Sequence, residues 1–131
     1  MAKIRILIDT DIIIDSLKGI RVAKELFRTE GLDLYCSILT KKELLSKEGL
    51  KDSERKRIID LLGKMKILRV DDDIKNKFLL LIREYGEHPN RTSDYIIATT
   101  AWSKRLPLLT RNRKHFGLIK EIKLSPGYEI E

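Results

Sequence analysis

The chain has 131 residues, 42% hydrophobic and 36% charged, with a formal net charge of +7. That length fits a single domain over residues 1–131, and so much apolar content excludes a disordered chain. The longest apolar run, residues 78–82, is too short to span a bilayer, and the single cysteine, Cys36, excludes an internal disulfide, so the expected location is cytoplasmic, without a membrane.

Residues 3–8 are apolar and β-branched and read as a buried strand. Residues 12–17 and, after Gly19, residues 20–28 read as helix. Residues 34–38 form the expected second strand, followed by a helix over 40–47 that stops at Gly49. Ile58, Leu61, Leu62 and Met65 recur at helical spacing and mark an amphipathic helix over 53–66. A short strand follows at 67–70. Ile74, Phe78, Leu81, Ile82 and Tyr85 mark the next helix, which ends at Gly86 and Pro89. Residues 93–104 are helical, 107–110 are a strand, and 121–124 read as a last, edge-like strand. Strands alternating with helices predict an α/β fold. Its central sheet of about four to five mostly parallel strands is flanked by helices, because parallel neighbours need helical crossovers.

Ligands in such sheets bind at the carboxyl ends of the strands, so the residues just after each strand are the candidates for chemistry. Asp9 directly follows the first strand, where it can cap a helix or hold a reacting group. Thr40-x-x-Glu43 has the spacing of a capping box, and one Glu43 oxygen could cap while the other faces a metal. Asp94 falls in the first turn of a helix, where an acid suits the dipole. The small and apolar residues Ile96, Ile97, Ala98 and Ala101 predict that this helix packs tightly on the sheet. Thr110 and Asn112, at the end of the fourth strand, can orient a carboxylate or a water, or can be ordinary turn residues. Asp11 reads as a cap or solvent residue pointing away from Asp9, and Asp15 as a helix-face residue able to support the site. Tyr95 and Trp102 could stack on bases, although packing is the simpler use of both. Three acids that converge on one place call for a hard divalent cation, because their mutual repulsion is otherwise costly.

Four motifs in series are similar to those of the PIN domain family. They are Leu7-Ile8-Asp9-Thr10-Asp11, Thr40-x-x-Glu43, Asp94-x-x-Ile97-Ala98 with Ala101, and Leu109-Thr110-Arg111-Asn112 with Phe116. Compact chains of this kind resemble the VapC toxins of toxin–antitoxin pairs. The resemblance implies a three-layer PIN-like domain and an endoribonuclease dependent on Mg²⁺ or Mn²⁺. It assigns Asp9, Glu43 and Asp94 as metal-binding catalytic acids, with Thr10 and Thr110 in support. Many members carry a further acid near the fourth strand, where this chain has Asn112 and His115. Asn112 can offer an oxygen to metal, directly or through water, and His115 suits Mn²⁺ better than Mg²⁺. The implied partners are RNA, an antitoxin protein that sets a basic side chain in the acidic pocket, and a second copy of the chain. Lys41, Lys42, Arg91, Arg111, Arg113 and Lys114 would form a basic rim for RNA phosphates, in keeping with the net charge. Two other readings compete. One is a haloacid-dehalogenase-like phosphatase with Asp9 as nucleophile, which has Ile13 where that motif prefers Thr or Val. The other is a non-catalytic PIN-like module that binds RNA or protein.

Overall fold

A computed structural model of the chain describes residues 3–128; residues 1–2 and 129–131 of the expected domain lie outside the described residues. Four strands form one sheet in the order β3-β2-β1-β4: β1 (Ile4–Ile8), β2 (Leu32–Ser37), β3 (Lys66–Leu68) and β4 (Leu108–Leu109). All three pairings are parallel. The expected strand at 121–124 is not one. It reduces to a single bridge between Leu124 and Leu108, held by Leu108 N–H to Lys123 O and Ser125 N–H to Leu108 O at 2.9 and 2.8 Å. β4 is itself only two residues long and leaves no ladder to extend.

Successive strand residues point to opposite faces, and both faces here are apolar. Ile6, Ile8, Leu34 and Cys36 enter one core, while Leu7 and Tyr35 enter the other. The first core is covered by α1 (Thr10–Leu17), α2 (Arg21–Leu26), α3 (Ile38–Leu45) and α4 (Asp52–Leu62). The second is covered by α5 (Asp72–Tyr85), α6 (Thr92–Lys104) and α7 (Arg113–Phe116). The result is the three-layer arrangement expected from the alternation. Leu7 and Ile8 are completely buried, and each contributes about 1.5–3 kcal/mol by leaving water.

Local chemistry sets the helix limits. Gly19, at φ +85°, ends α1 where a residue with a Cβ would be strained. Asp71 caps α5 by accepting from Ile74 N–H at 2.9 Å. α4 stops at Leu62, earlier than the periodicity suggests, because Gly63 takes the cap position and Met65 turns into the core. α3 begins two residues earlier than expected, with Ser37 Oγ accepting from Leu39 N–H at 3.1 Å. Thr40 therefore lies inside the helix and is not its cap, so the capping-box reading of Thr40 and Glu43 is corrected. Among the described residues no helix is long and apolar enough to cross a membrane.

Cys36 lies wholly inside the first core, and burial raises its thiol to about 11. A thiol with almost no thiolate and no access is inert. An aromatic disulfide reagent at pH 8 should label Cys36 only after denaturant is added. Rapid labelling of native protein would contradict this packing.

Candidate active site at the ends of β1 and β4

The chain steps from β1 to β2 to β3 in one direction across the sheet, then crosses back to place β4 on the other side of β1. The order of connection reverses between β1 and β4, and it is beyond the carboxyl ends of strands at such a point that open α/β sheets bind ligands. The residues that directly follow these two strands are Asp9 and Thr110, both buried.

The structure shows Asp9 in the first of the two readings given to it, the helix cap. It caps α1, accepting from Thr10 N–H through Oδ1 at 2.8 Å. Its other oxygen accepts from the Thr110 hydroxyl at 2.7 Å. The Asn112 N–H donates to the same hydroxyl oxygen at 3.0 Å, which fixes its direction. Thr110 thus holds Asp9, while Asn112 enters the network through its backbone.

Asp11 does not point away. Its Oδ2 accepts from Arg111 N–H at 2.9 Å and lies 3.4 Å from the Thr110 hydroxyl, so two carboxylates share one threonine. The β4 loop folds back over the first turn of α1 and supplies donors that a sequence of acids alone does not reveal. Among the described residues, Asp11 Oδ1 is buried and has no hydrogen-bond partner. Burial first, then the charge of Asp11, raises the Asp9 carboxyl from 3.8 to about 6. Burial also raises Asp11.

Asp94, in the first turn of α6, is half-buried and close enough to couple with both acids. Its carboxyl is raised chiefly by burial, against the lowering influence of His115 and Arg91. These three residues line a cavity of about 150 Å³ together with His88, Tyr95 and Phe116. Glu43 is exposed and joins the site through Thr10, whose hydroxyl lies 3.4 Å from Glu43 Oε2 and 3.0 Å from the hydroxyl of buried Thr40.

Metal fit can be judged from the donors. They are oxygens, one buried lone pair is unused, and the closest carboxylates repel, all of which suits a hard cation. Among the described residues, however, no three acidic, histidine or cysteine groups converge on a single ion position. Magnesium does not require it, because it keeps several waters and binds through one or two carboxylates.

The basic rim divides. Lys42 and Lys114 are exposed, Lys41 is half-buried, and Arg91 lies beside Asp94. Arg111 and Arg113 are exposed, and each guanidinium also has an intramolecular partner. The Arg111 guanidinium is committed to Asp15, with Nε 2.7 Å from Oδ2 and Nη2 2.9 Å from Oδ1. Arg113 Nη1 donates to Ser125 O at 2.8 Å. The support expected of Asp15 takes this form. Tyr95 is buried in the second core, and half-buried Trp102 packs against the same core with Lys77 Nζ 5.3 Å from the Trp102 ring centroid, so packing accounts for both aromatics. The expectation that Asp11 is a cap or solvent residue is thus corrected, although acids at 9, 11 and 15 on the first two turns of one apolar helix already ask for cationic or amide partners.

The chain is a three-layer α/β domain with coupled carboxylates at the switch point of a parallel sheet. The chain belongs to the PIN domain family, whose model matches residues 6–121. It is 30% identical to ribonuclease VapC10 of Mycobacterium tuberculosis over 122 residues, 90% of each protein. Among solved structures it is similar to a chain of a toxin–antitoxin complex from Klebsiella pneumoniae, at 32% identity and a TM-score of 0.76, covering 95% of this chain and 99% of that one. It superposes on a chain of the VapBC2 complex of Rickettsia felis, bound to promoter DNA, with a TM-score of 0.83, covering 96% of this chain and all of the other. At 18% identity that likeness shows the fold alone. Family membership removes the haloacid-dehalogenase reading of Asp9.

Proposed function

We propose that this protein is a metal-dependent endoribonuclease of the VapC toxin type, which hydrolyses RNA phosphodiester bonds in the cytoplasm and is silenced by an antitoxin protein. The observation that carries the reading is the Asp9–Asp11 pair over Thr110, at the switch point of a PIN domain. The relatives named as ribonucleases support the same chemistry.

In this reading Asp9, Asp11, Glu43 and Asp94 would together hold Mg²⁺ or Mn²⁺. Such an ion would supply a polarised phosphoryl oxygen and a bound water of lowered pKa. Thr110 and the Thr10 N–H fix the two oxygens of Asp9. Arg91, Lys41, Lys42 and Lys114 neutralise RNA phosphates, so binding should weaken with salt. An apolar groove of about 490 Å³, lined by Ile14, Leu17, Leu44, Leu50 and Ile58, runs up to Thr10 and Glu43 and offers the antitoxin a seat beside the acids.

The direct test is cleavage of total RNA by purified protein with and without Mg²⁺ or Mn²⁺. Cleavage only with metal is expected, and binding without cleavage would favour a non-catalytic module. Glu43→Gln is the sharper variant. Since Ser37 caps α3 and Glu43 is exposed, the change should move stability by no more than about 0.5 kcal/mol. Activity should fall at least about tenfold, through loss of a charged water-orienting group. A melting temperature that drops sharply while activity per folded molecule holds would make Glu43 structural.

A further inference from the structure

Behind the acids lies a second cluster that the proposed chemistry does not use. Asp15 is 1% exposed on α1 and holds Arg111 by two contacts. Its Oδ2 also accepts from the Tyr128 hydroxyl at 2.9 Å. The Tyr128 side chain packs on the first core, and burial, then the bond to Asp15, raises its phenol. Two residues after Arg111, Arg113 donates to Ser125 O at 2.8 Å, and it lies so close to Gly127 that a Cβ there would sit 3.2 Å from Nη1. Residues 125–128 therefore hold Arg113, at the start of α7, directly, and reach Arg111, in the loop that follows β4, through Asp15. That loop is the one whose Thr110 hydroxyl binds Asp9 and whose Arg111 N–H binds Asp11.

We propose that residues 125–128 act as a strap, in which Tyr128, through Asp15 and Arg111, positions the Thr110–Asn112 loop over the Asp9–Asp11 pair. Asp15 has a second effect in this arrangement. It holds a guanidinium that would otherwise be drawn to the adjacent carboxylates, because Arg111 already lowers the Asp11 carboxyl. Tyr128 and Asp15 are positioning residues, and neither touches the reacting atoms. The catalytic side of this inference rests on the ribonuclease reading above; the mechanical side does not.

Tyr128→Phe tests it, because the ring keeps its packing and only the hydroxyl is lost. Two readouts are needed: hydrogen exchange at the Arg111 amide in metal-free protein, and kcat and KM for RNA cleavage. Arg111 exchange is expected to accelerate, with α5 amides unchanged and kcat down about tenfold at constant KM, the size of effect seen when a supporting partner is removed. Wild-type exchange at Arg111 in a folded variant would overturn the strap. Faster exchange with unchanged kcat would overturn its positioning role. If the wild-type protein cleaves no RNA, the ribonuclease reading fails, while the exchange result still decides whether the strap holds the loop.

Discussion

Asp9→Asn should abolish RNA cleavage, by at least about a hundredfold, since it removes the most buried charge of the proposed metal site. The fold should survive. Asn Oδ1 can accept from Thr10 N–H as Asp9 does, and its amide can donate to the Thr110 oxygen. The Thr110 hydroxyl then has Asp11 Oδ2, 3.4 Å away, as its acceptor. Stability should even rise in metal-free protein at pH 7. The folded Asp9 carboxyl titrates at about 6, above its ordinary 3.8. Between those values the folded state holds more protons than the unfolded state, so stability falls as pH rises through the window. Ionising Asp9 thus costs about 1–3 kcal/mol at pH 7, and Asp11 and Asp94, both raised, act in the same direction. Melts in chelator at pH 5 and pH 7 should show a smaller loss of stability for the variant across that interval. A folded, fully active Asp9→Asn protein would remove Asp9 from the chemistry.

Release of the antitoxin by metal is the second large effect expected. Without a cation the carboxylates of Asp9 and Asp11 repel, and a Lys or Arg from the partner relieves that repulsion. The pairing would be charge-assisted and directional, and stronger than the same contact in open solvent. A lone basic residue gives little affinity against salt, so the rest must come from apolar contact in the groove of Ile14, Leu17, Leu44, Leu50 and Ile58. Cation and basic side chain then compete for the same oxygens. Titrating Mn²⁺ into the complex should weaken partner binding in wild-type protein, whereas Asp9→Asn should lower the partner's affinity and remove most of the metal sensitivity. A complex indifferent to Mn²⁺ and to changes at Asp9 and Asp94 would place the partner elsewhere.

Sequence periodicity by itself determined the order of the four strands and the first six α-helices, the parallel sheet and the second-core stripe Phe78, Leu81, Ile82 and Tyr85 on α5, because burial on a helix or a strand leaves a repeat of fixed period; the four-residue α7 is too short to leave one. It also brought out Asp9 and Asp94, since an acid after a strand or in the first turn of a helix is a local feature. Other features were decided only by tertiary structure, because each depends on residues about a hundred positions apart meeting across β1 and β4. Asp11 joins the pocket through an amide from residue 111, and Asp15 holds Arg111 with help from Tyr128. The same cause ties the exposed Arg111 to Asp15. No local pattern tells whether a surface arginine faces solvent or a buried carboxylate. Glu43 shows the reverse case. Its spacing from Thr40 mimics a capping box, but β2 runs on to Ser37, so the cap falls three residues earlier and leaves Glu43 exposed beside Thr10.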